Sequence, residues 1–233
     1  NKDEKKNGHA FDVMLGQETS FKGTEYLKGQ STDFPFDNLG NNNLGLGATP
    51  SQVTSSRSDN MLVSFFARGN YSYKDRYLFT ATIRADGSTV FSKNNKWGYF
   101  PSFSAAWRIS EEPFMKNQDV VSNLKLRAGW GMVGNDRITN YLSLTLYSQG
   151  KYGYGNNLIT VLSPKQLPNE DLKWEASQST NIGIDLGLFR NRLNITAEVC
   201  LKDTKDLLTE ASTAYVSGFG SQWQKGGQGR HAW

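Results

Sequence analysis

Between Tyr77 and Asp86 the chain alternates strictly. The odd positions are Tyr77, Phe79, Ala81, Ile83 and Ala85; the even ones are Leu78, Thr80, Thr82, Arg84 and Asp86, and they carry every charge. Period two marks a strand whose successive side chains point to opposite faces. The same division recurs along much of the rest of the chain, between loops rich in Gly and Asn. One such strand would fit any half-buried sheet. The repetition, with charge held to one parity over segments of about ten residues, points to an all-β antiparallel transmembrane barrel, one face to lipid and the other to a polar lumen.

Composition excludes the helical alternative. The chain has 233 residues, of which 37% are hydrophobic, and its mean hydropathy is −0.58. No run approaches the ~20 apolar residues of a spanning helix; the longest, 62–67, is broken by Ser64. A barrel needs apolar residues only at alternate positions, and 10 Tyr with 13 Phe suit its aromatic girdles. Net charge is +4 but scattered, which gives no support to nucleic-acid binding. The single cysteine, Cys200, leaves no disulfide framework within the chain. Residues 1–7 are charged and lead into no apolar core, so no signal peptide is read there. For an outer-membrane protein that predicts an internal piece.

Strands are predicted at 9–17, 60–73, 77–86, 97–110, 123–133, 176–189 and 193–201, seven or eight in all. The links between them alternate in character. Residues 73–76, 111–122 and 189–192 are tight or modest, with room for a helical turn in 111–122. Residues 18–59, 87–96 and 134–175 are loose, with strand extensions predicted at 141–147 and 158–162. Short turns at one rim and long loops at the other are the asymmetry of an outer-membrane barrel. A soluble β-sandwich has no reason to place its long loops at every second connection.

No catalytic constellation stands out, and no enzyme is predicted. A Ser/His/Asp hydrolase would have to use His9, which precedes a strand, or His231, in the C-terminal tail. Asp37, Asn38, Asn41, Asn42 and Asn43 offer oxygens to a hard cation, but not at the spacing of a calcium loop. A turn-rich loop is the better account, and no metal or cofactor is expected. Asn70-Tyr71-Ser72 and Asn194-Ile195-Thr196 match the glycosylation sequon but fall in predicted strands. The candidate substrate contacts are Trp97, Tyr99, Tyr141, Tyr147, Tyr152 and Tyr154, together with Trp174 at predicted strand ends or in loops. Their rings would suit a sugar or a peptide. An interfacial aromatic belt wants Tyr and Trp at the same height; that plainer reading is favoured for Trp97 and Tyr99, while Tyr152 and Tyr154 divide evenly. Arg84, Asp86, Arg108 and Arg127 are predicted to face the lumen.

Several blocks carry more than pattern. They are residues 77–91, which include Arg84-Ala85-Asp86-Gly87-Ser88; Trp97-Gly98-Tyr99-Phe100-Pro101-Ser102; and Ala105-Ala106-Trp107-Arg108-Ile109-Ser110-Glu111-Glu112. Further on come Leu124-Lys125-Leu126-Arg127-Ala128-Gly129-Trp130-Gly131, Leu172-Lys173-Trp174-Glu175, residues 180–189 and residues 202–208. In this order and spacing the chain resembles the SusC/RagA-type TonB-dependent outer-membrane transporters, over roughly residues 9–224. The resemblance implies a larger parent with an N-terminal plug, a TonB-contacting segment and a barrel of about 22 strands. Residues 1–224 would be part of that barrel, with the plug outside this sequence. It further implies a multi-pass protein of the Gram-negative outer membrane that imports oligosaccharides or peptides. Its partners would be the TonB complex and a SusD-like surface lipoprotein acting as a lid. The lumen charges would then pair with one another or meet the plug. Two departures stand out: Cys200 replaces the usual aromatic, and residues 225–233 leave the pattern and read as an aberrant or truncated tail. The alternatives are a soluble all-β carbohydrate-binding module, which would lack a lipid face, and a passive porin, which would lack a plug.

Overall fold

The computed structural model describes residues 8–36 and 42–232. The cation ligands considered at Asp37, Asn38 and Asn41 lie outside the described residues. The strands are β1 (His9–Thr32), β2 (Thr49–Tyr73), β3 (Tyr77–Ser88), β4 (Trp97–Arg108), β5 (Val121–Asn135), β6 (Tyr147–Tyr154), β7 (Asn157–Pro164), β8 (Glu175–Leu188), β9 (Leu193–Lys205), β10 (Leu208–Ser212), β11 (Ser221–Lys225) and β12 (Gly229–Ala232). Eight of them form one antiparallel sheet in the order β1-β2-β3-β4-β5-β8-β9-β12, a half-barrel. The pairs β6–β7 and β10–β11 are separate hairpins rising from the links. Between β4 and β5 lie two single 3-10 turns, Ile109–Glu111 and Pro113–Met115, where the sequence left room for one.

Register keeps the sequence parity intact across the sheet. Phe79 stands opposite Tyr71 on β2 and Ala105 on β4, and Ala105 in turn opposite Ala128 on β5. Ala128 pairs with Ile182 on β8, which pairs with Val199 on β9. A one-residue slip anywhere would throw a charged row onto the apolar face, so the alternation itself fixes the pairing.

The tight turns sit together at one rim. Lys74 and Asp75 adopt φ of 51° and 56°, and Phe189, Arg190 and Asn191 adopt 53°, 60° and 60°. Left-handed backbone disfavours L-residues, with Asn and Asp the most tolerant. Hydrogen bonds hold it here: Arg76 N donates to Tyr73 O at 3.0 Å, Phe189 N to Val120 O at 2.8 Å, and Arg190 N to Ser122 Oγ at 2.7 Å. The long links meet at the other rim. Asn140 Nδ2 donates to Ser58 Oγ at 2.6 Å, and Ser92 Oγ to Glu170 O at 2.7 Å.

The span 18–59 is not the loose loop expected. β1 and β2 stay paired from His9↔Tyr73 to Gln30↔Gln52, and resume past a bulge at Gln30/Ser31. β3 accompanies β2 only as far as Leu62, so the outer half of the hairpin projects as a two-stranded arm. Both faces of that arm meet solvent, which removes the pressure to sort apolar from polar residues and erases the alternation. Residues 141–147 are likewise a turn rather than a strand. Strand structure begins at Tyr147, where β6 can pair with β7. In the tail, β12 pairs with β9 from Gly229↔Thr204 to Ala232↔Leu201, so residues 229–232 continue the sheet.

Buried hydrophobic side chains gather at the long-loop rim. Phe91, Phe100, Leu142, Leu172 and Trp174 form one cluster, edged by Leu62, Met132, Ile138, Leu208 and Trp223. The Phe100 ring lies over Gly98, where a Cβ would come within 2.9 Å of Trp174 Cγ. Glycine is needed there because the loop must close directly on the strand.

Candidate functional site

The two faces of the sheet differ in chemistry as the parity demands. On the odd face of β3 and β4 large apolar side chains stand exposed, Phe79 at 49% and Phe103 at 55%. Aromatic stacks mark both ends of that face. Tyr73, Tyr77 and Trp107 stack in series near the short turns, with centroids 6.3 and 6.1 Å apart. Phe65 and Trp97 stack at 6.2 Å near the long loops. Paired aromatic bands flanking an apolar zone are the mark of a membrane-spanning wall.

The opposite face is polar and laced with ion pairs. Arg84 Nε meets Asp86 Oδ1 at 2.6 Å, and one terminal nitrogen reaches Glu18 Oε2 at 3.0 Å and Ser64 Oγ at 2.8 Å. The guanidinium also lies over the Phe66 ring, 5.7 Å from its centroid. Two strands away, on β5, Arg127 joins Asp185 at 3.3 Å and Glu198 at 2.9 Å. Each Arg thus bridges two carboxylates, Arg84 the one two residues on along its own strand and Glu18 on β1, Arg127 one on β8 and one on β9, which neutralises these charges while leaving the wall hydrophilic. Arg108 shares this face near the short turns, opposite Lys125. Phe100, on the same face, receives the cluster formed by the folded loops. The folded loops thus pack on the charged face and leave the apolar one bare.

This division of faces matches a known family over almost the whole chain. Residues 3–232 fit the model of the TonB dependent receptor-like β-barrel. The chain belongs to that family. The TonB-dependent receptor SusC of Bacteroides thetaiotaomicron is 37% identical over 222 residues, 91% of this chain and 21% of SusC. A TonB-dependent receptor of Formosa agariphila is 44% identical over 158 residues, 68% of this chain and 15% of that protein. Among solved structures, the RagAB peptide transporter superposes with a TM-score of 0.86 at 27% identity, covering 97% of this chain and 25% of the matched chain. The SusC/RagA-type resemblance and the antiparallel barrel fold read from the sequence are both borne out. The chain spans about a fifth of the length of these relatives.

The receptor barrel scatters the candidate aromatics. Trp97 and Tyr99 lie on the apolar outer face of β4, at the height of the belt. Tyr141 stands in the loop before β6, its hydroxyl accepting from Asp59 N at 3.0 Å and donating to Asp59 O at 3.3 Å. Tyr147, Tyr152 and Tyr154 are exposed on the β6 hairpin. Period two puts Tyr152 and Tyr154 on one face of it and Tyr147 on the other. Trp174 is buried and donates its indole N–H to Lys96 O at 2.9 Å.

One anchoring group escaped the sequence reading. Glu112, buried below the short turns, receives Tyr77 Oη at 2.7 Å, Trp107 Nε1 at 3.1 Å and an Arg76 nitrogen at 3.2 Å. The Tyr77 and Trp107 hydrogen bonds, with the Arg76 charge, outweigh burial and hold its carboxyl below the usual value of 4.5. Nothing in the sequence separates Glu112 from the adjacent Glu111; only the 3-10 turn turns one of them inward.

Proposed function

We propose that this chain forms part of the wall of an outer-membrane importer of the SusC type, which takes up oligosaccharides or peptides with energy supplied through TonB. The observation that carries the reading is the half-barrel itself. Its apolar outer face carries aromatic bands at both ends, and its inner face is held hydrophilic by the Arg84 and Arg127 networks. Family membership supports the energy coupling. A SusD-like lipoprotein would cover the rim where the long links gather. No bond chemistry is assigned; Arg84 and Arg127 are held in ion pairs with Asp86, Glu18, Asp185 and Glu198. Substrate would be met first by the exposed rings of Tyr152 and Tyr154, which cost little side-chain entropy to hold; Tyr141, engaged with Asp59, serves the loop instead.

The test is uptake by cells carrying the intact transporter. Labelled oligosaccharide or oligopeptide should enter only when TonB is present. The double substitution Y152A/Y154A should lower apparent affinity about tenfold, the order of two aromatic contacts at 0.5–1.5 kcal/mol each. Uptake that is unchanged without TonB would turn the reading toward a passive pore.

A further inference from the structure

We propose that the outer face of this wall carries a groove that binds one acyl chain of a phospholipid from the leaflet nearer the short turns. The proposal rests on the reading above, since it requires this face to lie in a bilayer. The groove is a hollow of about 580 Å³ that crosses the sheet from Phe11 on β1 to Ile182 on β8, a size typical of ligand sites. Its floor is made of small residues. Ala81 stands between Gly69 and Phe103, and Ala105 between Phe79 and Ala128. Its walls are two stacked ring pairs, Tyr71 with Phe79 at 6.3 Å and Phe103 with Trp130 at 6.0 Å.

The chemistry narrows the occupant to hydrocarbon. The lining on this face carries no charge, and its only side-chain polar atoms are the hydroxyls of Tyr71 and Thr180 and the indole nitrogen of Trp130, too few to recognise a sugar, a headgroup or a charged peptide. Flat ring faces set on either side of a recessed floor suit a slender methylene chain. Position narrows it further. Phe79 and Ala81 lie two and four residues from Tyr77, which belongs to the aromatic band at the short-turn rim. At roughly 3.4 Å per residue that is about 7–14 Å along the strand, and less in depth because barrel strands tilt. The groove therefore opens into the acyl region of the near leaflet and is continuous with the apolar surface the bilayer already covers. Elsewhere on this face stand the larger side chains of Ile83, Leu126, Ile184 and Ile195, all exposed.

The experiment is native mass spectrometry of the intact transporter, released from detergent after incubation with dioleoylphosphatidylethanolamine. The unaltered protein should retain one phospholipid. Ala105→Phe, which fills the floor, should cut that occupancy at least fivefold, and Ala81→Val should cut it less. Ala197→Phe, on the same face but outside the groove, should behave like the unaltered protein. Heat-modifiable electrophoretic mobility checks that each variant is folded. Equal retention in all four would overturn the proposal, as would no retained lipid at all. Loss of a dimer in Ala105→Phe, with no lipid bound to any form, would also overturn it and make the occupant a second copy. Outer-membrane fractionation of the same cells separates the two levels: absence from that fraction defeats the functional reading, whereas a protein that is present there without the lipid defeats only the groove.

Discussion

At the residue scale, the sheet sorts side chains by cost. Ala81 and Thr82 are adjacent on β3, yet one faces lipid and the other faces Arg68, whose Nε donates to Thr82 Oγ1 at 3.3 Å. An Arg on the lipid face near the midplane costs ~2–4 kcal/mol, and on the lumen face far less. Ala81→Arg should therefore depress folding into bilayers by that amount, and Thr82→Arg should be tolerated, as measured by reversible unfolding from vesicles. Equal losses would mean that the faces are misassigned. Glu112 makes a second prediction. Its folded carboxyl titrates below the unfolded one, so its stabilisation is complete at neutral pH and is lost as pH falls through the depressed value. Glu112→Gln should be less stable than the parent at pH 7, and the gap should close as the pH is taken below about 4. A gap that persists in acid would show that packing rather than charge anchors the turn. Parity makes it legible that Arg84, Asp86, Arg108 and Arg127 share one face of the sheet, but not which partners they meet. Glu18 reaches Arg84 from the start of the span 18–59, where the alternation fades.

At the scale of elements, the sequence was clearest where one side of a strand meets hydrocarbon. The paired parts of β2 to β5, β8 and the start of β9 follow from alternation, because a lipid face tolerates no charge. The arm beyond Lys22 and Asn60 was illegible for the converse reason. With water on both faces, its pairing rests on backbone hydrogen bonds and local contacts such as Arg57 with Glu25 and Asp59, which impose no period. Exposed pairs of this kind contribute little. Replacing residues 24–58 by an Asn-Gly turn, which joins the paired Gly23 and Asp59 as a two-residue hairpin, should leave folding of the intact barrel into bilayers nearly unchanged. The measurement is folding yield by heat-modifiable mobility. A collapse in yield would show that the arm nucleates the sheet. Tyr141 belongs to this scale too. Its hydroxyl ties the loop before β6 to Asp59 at the base of the arm.

At the scale of the whole molecule, among the described residues the eight-stranded sheet leaves an open edge along β1 and another along β9 where β12 does not reach. Open edges and an apolar outer face both favour association in water. The chain by itself, without detergent, should sediment as oligomers or aggregate; a monodisperse monomer with a cooperative melt would count heavily against a barrel wall. The most direct test of the two-faced wall is a site-by-site scan. With Cys200 replaced by Ser, single cysteines at positions 77–86 of the intact transporter in vesicles would be spin-labelled and exposed to oxygen and to a water-soluble nickel chelate. Oxygen accessibility should peak at 77, 79, 81, 83 and 85, and chelate accessibility at 78, 80, 82, 84 and 86. Accessibility without a period of two, or with the two sets exchanged, would contradict the account.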